Sequence, residues 1–227
     1  MSAPAHDATV SGSGNGVNSW TLPGLSTAGT NRAVYLACHT SNSNSITPTS
    51  TNLTFVQIGT DMSLSGNGKM RVFRAFAASQ LSSEVITLTT SGNPQSSAVA
   101  TSISNPDTTG SSGSGATGAT NTFTSGGSSA PTAAVTTTRA DSLVISFICQ
   151  TANQSVTAGT NQTINATSSN PGFSGSSSER QNSGTAVSGT SVTGNATLGG
   201  SVACGLITIE VKSPAVTTDT SKFMSFF

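Results

Sequence analysis

The sequence predicts an all-β protein, an antiparallel β-sandwich of jelly-roll type with long Ser/Gly-rich loops and a C-terminal arm. Short runs rich in Val, Ile, Thr and aromatic residues recur along the chain, bounded by Gly, Pro, Asn and Ser, as strands between turns are. No segment of ten or more residues has a 3.6-residue apolar period, and only 75–81 suggests a helical turn. Eight to ten short strands of this kind favour two packed antiparallel sheets.

The first half of the chain contains clear strand signals. The candidates are residues 17–23, 32–41, 53–60, 69–77, 84–90 and 97–104. In 32–41, Val34 and Leu36 fall on one face and Tyr35 and His39 on the other, at the period of two that a strand imposes. In 69–77 the alternation breaks at Arg74, which predicts a bulge near that residue. Trp20, in the first run, is expected to fill the sandwich edge.

The second half alternates between apolar and low-complexity sequence. Strong candidates are 133–138, 142–150 and 202–212, and weaker ones are 161–167 and 179–192. Residues 107–131 and 168–178 are mostly Ser, Gly, Thr, Asn and Ala, which predicts flexible loops. We find no internal repeat strict enough for a solenoid. The organisation predicted is a single β-sandwich domain over 1–213, followed by an extension over 214–227 that docks on the same chain or on a neighbouring subunit.

The charge content limits the function. The chain has 8 Lys+Arg and 8 Asp+Glu in 227 residues, and 7% of its residues are charged, against about a quarter in ordinary soluble domains. Zero net charge gives no reason to expect nucleic acid as a partner. No run approaches the ~20 apolar residues that span a bilayer. The N-terminus has no basic segment followed by an apolar one, so we expect folding in a cytosol.

Few residues suggest a chemical site, and we expect no enzyme, no catalytic residue, no cofactor and no metal. The eight acids stand mostly at strand ends or turns, and the Gly-Ser-Gly-Asn-Gly at 12–16 precedes the predicted core strands. His39 is expected to be hydrogen-bonded or solvent-facing. A cation site of backbone and Asn carbonyls around 42–45 would be invisible in the sequence.

The cysteines are Cys38, Cys149 and Cys204, each within an apolar run. An odd number at wide spacing forms no disulfide framework and no zinc motif, which favours buried structural thiols. One disulfide plus a free thiol is the alternative.

The C-terminus carries the one feature that suggests a partner. After Pro214 and a polar spacer come the large apolar residues Phe223, Met224, Phe226 and Phe227. Each contributes roughly 1.5–3 kcal/mol if fully buried. One interpretation is that this tail folds over its own sandwich. The other, which we favour, is that the four residues dock into a groove on a neighbouring subunit.

The order of the runs resembles a known group. The segments that carry the resemblance are RAVYL at 32–36, LTFVQIG at 53–59, MRVFRA at 70–75, VITLT at 85–89, AVATSI with NPD at 98–107, DSLVI at 141–145 and GLITIEVK at 205–212. Over residues 15–213 the chain looks like β-sandwich domains found in bacteriophage virion proteins and some bacterial surface proteins. The resemblance is one of strand order and character, and it carries no catalytic residues with it.

The resemblance implies a non-enzymatic role in the virion, assembled in the host cytoplasm. Within that role we favour a capsid decoration or cement protein that contacts the major capsid protein or neighbouring copies of itself, and we expect a homo-oligomer. A tail-fibre or adhesin module that binds host surface glycans is the first alternative. A polysaccharide-degrading enzyme is the second, and the low charge counts against it.

Overall fold

The computed structural model describes residues 2–65, 68–170, 174–181, 184–185 and 187–215, with the backbone alone over 174–180. Within these ranges the chain forms strands and no helix. A helix able to cross a membrane is accordingly not found among these residues. The strands are β1 (Ala5–Asn15), β2 (Ser19–Thr21), β3 (Arg32–Thr40), β4 (Ile46–Thr49), β5 (Val56–Ser63), β6 (Lys69–Ala77), β7 (Thr87–Thr90), β8 (Gln95–Ser104), β9 (Thr117–Ser128), β10 (Thr132–Thr136), β11 (Leu143–Gln150), β12 (Val156–Ala158), β13 (Gln162–Asn170), β14 (Ser174–Gln181), β15 (Ser191–Leu198) and β16 (Val202–Val211).

The strands form four antiparallel sheets. Two have five strands, in the orders β1-β8-β3-β6-β5 and β13-β14-β11-β16-β9, and two have three, in the orders β2-β7-β4 and β10-β15-β12. The predicted all-β antiparallel sandwich is therefore confirmed. The jelly-roll form of the sandwich stays a prediction.

The second half of the chain repeats the strand order of the first. If eight is added to each number in β1-β8-β3-β6-β5 and β2-β7-β4, the result is the order of the other two sheets, β9-β16-β11-β14-β13 and β10-β15-β12. The extents of pairing agree as well, since β3 pairs with β8 from Ala33, opposite Ile103, to Thr40, and β11 pairs with β16 from Leu143, opposite Val211, to Gln150. This repeat is not apparent in the amino-acid sequence.

Three clusters of buried side chains hold the sheets together. The central cluster contains Tyr35, Met70 and Val72 from the first half and Phe147 and Ile209 from the second, so the two five-stranded sheets pack face to face. An outer cluster on each side joins a five-stranded sheet to its three-stranded sheet. The order of the layers is thus three, five, five and three strands.

The predicted facing of the side chains in β3 is correct. Val34, Leu36 and Cys38 lie in the first-half outer cluster, whereas Tyr35 and Ala37 lie in the central cluster. This division follows from the period of two in a strand, which sends alternate side chains to opposite faces of the sheet.

The low-complexity stretches were predicted wrongly as loops. β9 lies within 107–131 and is antiparallel to β16, while 168–178 contains the end of β13 and the start of β14. β9 is an edge strand with mostly exposed or half-buried residues. Backbone pairing with β16 requires no apolar side chains in β9. The amino-acid composition of β9 therefore does not identify it as a strand.

Two local predictions are also wrong. The register of β6 with β3 is regular through Arg74, and the irregularity lies in β5 between Ile58 and Met62. Residues 12–14, which were placed before the core strands, belong to β1 and pair with β8. Trp20 is half-buried against the first-half outer cluster, beside β1, because Gly12 and Gly14 leave room for its ring.

Candidate functional site

Asp7 fixes the loop before β3. Its carboxylate accepts hydrogen bonds from Arg32 Nε at 2.9 Å, Ser102 Oγ at 2.9 Å and the Ala28 backbone N–H at 3.2 Å. Burial alone would raise the pKa of Asp7, but these bonds outweigh it and lower the pKa below its ordinary value. The carboxylate is therefore an ionised acceptor that holds strand and loop together.

Glu210 does the same in the second half, from another strand. It stands in the register position that corresponds to Ser102, and it accepts bonds from Ser142 Oγ at 2.7 Å, Thr138 N at 2.8 Å and Ala119 N at 3.0 Å. Burial raises its pKa, and the hydrogen bonds lower it by more, so the pKa lies below its ordinary value. Both halves thus fix the loop before their third strand with a carboxylate.

Asp61 and Arg71 form a bidentate ion pair between β5 and β6. Arg71 Nε lies 2.7 Å from Asp61 Oδ1, and Nη2 lies 2.6 Å from Oδ2. The hydrogen bonds from Arg71 are the main cause of the lowered pKa of Asp61. Arg71 Nη1 also donates to the Asn44 carbonyl at 2.8 Å. Thr40 Oγ1 donates to the same carbonyl at 2.9 Å, so both of its lone pairs are used within the protein.

Glu84 and Asp107 complete the described set of bonded acids. Glu84 accepts from Asn52 N at 2.7 Å, from Asn52 Nδ2 at 2.6 Å and from Ser50 Oγ. Asp107 pairs with Arg139 and accepts from Thr109 N at 2.9 Å. For both acids burial raises the pKa, and the hydrogen bonds lower it by more. All five of these carboxylates therefore hold loops or strands in place.

The thiols and histidines show no reactive arrangement. Cys38, Cys149 and Cys204 are free and buried, as predicted, and burial raises the pKa values of Cys38 and Cys204. No group of three or more His, Cys, Asp or Glu side chains suited to a metal occurs in the described part of the chain.

His39 was predicted wrongly as hydrogen-bonded or solvent-facing. It is 1% exposed, and neither ring nitrogen has a hydrogen-bond partner. Burial lowers its pKa to about 4, so the imidazole is neutral at pH 7. Gly68 lies against it, since a Cβ at Gly68 would be 2.8 Å from Nε2.

A cavity of about 580 Å³ lies beside His39, where β3 and β11 end. Its lining is polar and uncharged, and comes from both halves of the chain: His39, Asn42, Ser65, Asn93, Gln95 and Thr151. This volume is within the range of small-ligand sites. The cavity is the candidate binding site, and it was missed because only the topology brings these residues together.

The residues predicted to dock on a partner lie elsewhere. Phe223, Met224, Phe226 and Phe227 are outside the described residues. Pro214 and Ala215, which precede the tail, line a second cavity with Arg139 and Asp141 at the opposite end from His39. Comparison of the chain with protein-family models, with curated proteins and with solved structures finds no match.

Proposed function

We propose that this protein is a non-enzymatic structural component of a bacteriophage particle, a capsid decoration or cement protein that stabilises the particle through subunit contacts. The observation that supports the proposal is that five of its carboxylates hold the fold together. Asp7, Asp61, Glu84, Asp107 and Glu210 all accept internal hydrogen bonds that keep them ionised and fixed. Such acids serve as scaffold, whereas a general acid needs a raised pKa.

The surface of the described residues supports docking through a separate segment. The exposed large apolar residues there are the single valines Val17, Val56, Val85 and Val187, and scattered apolar residues of this kind are normal on a monomer. We therefore assign the docking contact to Phe223, Met224, Phe226 and Phe227. The partner is the major capsid protein or a neighbouring copy of this chain.

The test is co-sedimentation of the purified full chain with particles of the phage that carries its gene, prepared without this protein. We expect saturable binding that survives about 1 M salt, because apolar contacts are not screened as ion pairs are. The variant F223S/F226S should bind at least about a hundredfold more weakly, since two buried rings are lost. The matched control V85S/V187S removes apolar area elsewhere and should bind as the wild type.

Three results would contradict the proposal in different ways. If the wild-type chain does not sediment with the particles, the virion role is wrong. If F223S/F226S binds as the wild type, the tail is not the docking segment. If that variant loses its cooperative thermal unfolding, the tail belongs to the core of its own chain.

A further inference from the structure

We infer that the cavity beside His39 binds an uncharged oligosaccharide. The six lining side chains named above offer three amides, two hydroxyls and an imidazole, and no formally charged group. Amides and hydroxyls both donate and accept, which matches the hydroxyl groups of a sugar. A phosphate or carboxylate ligand would need a cation in the lining. A peptide would need an apolar anchor pocket or a free sheet edge.

The lining holds hydrogen-bonding capacity that the protein itself does not use. Both nitrogens of buried His39 lack a partner, although buried polar groups are nearly always paired. Asn42 and Asn93 are exposed at the rim of the cavity. A third cavity, lined by Arg32 and Pro214 beside the start of β3, differs in this respect, because Arg32 is already paired with Asp7.

The rim is held in place before any ligand arrives. The Ser41 N–H donates to the Gln95 carbonyl at 2.9 Å, and Ser41 Oγ accepts from the Gln95 N–H at 3.1 Å. Arg71, fixed by Asp61, donates to the Asn44 carbonyl two residues after Asn42. A rim fixed in this way loses little conformational entropy on binding.

The cavity and the residues that precede the tail, Pro214 and Ala215, lie at opposite ends of β3. Pro214 and Ala215 lie beside the start of β3, whereas His39 is near its end. Nine residues of strand separate the two ends by ~30 Å. If the chain is attached to a particle by its tail, as proposed above, the cavity faces away from the particle. Many copies on one particle would then bind a glycan surface together.

The experiment is a nuclear magnetic resonance titration of the full ¹⁵N-labelled chain. The probes are maltotriose, chitotriose and lactose, with a sulfated heparin tetrasaccharide as the charged comparator. We expect at least one uncharged probe to shift the amide resonances of Asn42, Gln95 and Thr151. The Kd should be about 1 mM, because the lining residues named above include no Trp, Tyr or Phe ring on which a sugar could stack. The sulfated probe should leave these resonances unchanged.

Variants connect the shifts to the cavity. N42A/N93A should raise the Kd about tenfold or more, since each lost hydrogen bond weakens binding about fivefold. N18A removes an exposed amide elsewhere and should bind as the wild type. The inference is overturned if no uncharged probe at about ten times the expected Kd shifts the cavity resonances, or if N42A/N93A binds as the wild type.

The outcome is separable from the virion proposal. F223S/F226S should lose particle binding and keep the sugar titration, whereas N42A/N93A should do the reverse. Only the outward orientation of the cavity depends on the proposed function.

Discussion

His39 places an uncharged imidazole at the end of the central core, between Met70 of β6 and Ser97 of β8. Its pKa is about 4 when folded, against about 6.5 when unfolded. The unfolded chain therefore takes up a proton first as the pH falls. The contribution of the neutral His39 to the free energy of unfolding should be fully present above pH 6.5. The free energy of unfolding should then fall by about 3 kcal/mol as the pH is lowered to 4. Urea unfolding at steps between these pH values measures it.

The variant His39→Leu isolates this contribution. Leucine does not titrate, so the loss of unfolding free energy between pH 6.5 and 5 should disappear. Only the loss at lower pH, caused by protonation of the carboxylates with lowered pKa, should remain. Met70→Leu, in the same core, should cost less than about 1.5 kcal/mol at every pH. A wild-type slope in His39→Leu would show that another group causes the pH dependence.

Gly118 provides the space for the Glu210 carboxylate. A Cβ on Gly118 would lie 2.1 Å from Glu210 Oε2, so Gly118→Ala must displace the carboxylate from the donors of Ala119, Thr138 and Ser142. Charged hydrogen bonds are worth about 1.5–3 kcal/mol each, and we expect a loss of at least about 2 kcal/mol in thermal unfolding.

Gly126 supplies the matched control on the same strand. A Cβ there would meet Ser65 Cβ at 3.5 Å, which is ordinary contact. Gly126→Ala should change stability by less than about 1 kcal/mol, the range of a glycine-to-alanine change without strain. Equal losses in the two variants would mean that β9 tolerates no side chain at either site, independently of Glu210.

At the scale of the element, β13 is joined to β1 by side chains. Asn170 Nδ2 donates to the Gly14 carbonyl at 2.8 Å, and Ser168 Oγ donates to the Gly12 carbonyl. These bonds connect edge strands of the two five-stranded sheets. S168A/N170A should lower stability by about 1–3 kcal/mol and speed amide hydrogen exchange in β1, because the two hydrogen bonds from β13 to the carbonyls of β1 are lost.

Ser169 lies between the two donors and is exposed, on the other face of β13. Ser169→Ala should therefore leave both stability and exchange in β1 unchanged. If S168A/N170A also leaves exchange in β1 unchanged, the bonds from Ser168 and Asn170 do not hold the two edges together, and packing and the Ser11 bond to the Thr167 carbonyl do.

The strands that the sequence reveals are those with two buried faces. β3 and β11 are largely apolar along their whole length, because other sheets cover both of their faces. β1 and β9 are edge strands whose side chains are mostly half-buried or exposed, and backbone pairing sets their conformation. A composition of Ser, Gly and Thr is compatible with such a strand and equally with a loop, so it does not distinguish them.

The repeat is hidden for a related reason. Equivalent positions in the two halves hold different residues: Tyr35 in one matches Ile145 in the other, with Ala33 and Leu143 in register just before them. The carboxylate that fixes the preceding loop even comes from different strands, Asp7 in β1 and Glu210 in β16. Burial and bonding patterns are repeated, while residue identity is not. The same holds for the cavity, whose lining depends on where strands end.

At the scale of the whole molecule, the shared central cluster should make the two halves unfold together. Each half contributes one face of that cluster, so neither half can keep its inner sheet covered if the other unfolds. Val135→Ala in β10 truncates a buried side chain in the outer sheet of the second half. We expect a loss of about 2 kcal/mol. Native-state hydrogen exchange should report that loss equally in β16 and in β3.

The reciprocal variant is Leu88→Ala in β7, in the outer sheet of the first half. It should lower the protection of β3 and of β16 by one common free energy of about 2–5 kcal/mol. A single cooperative unit over 1–213 requires that each variant lowers protection in both halves. The outer sheets need not contact each other for this, because the central cluster is shared by both halves. If each variant lowers protection only in its own half, the chain consists of two domains that are packed together but fold independently.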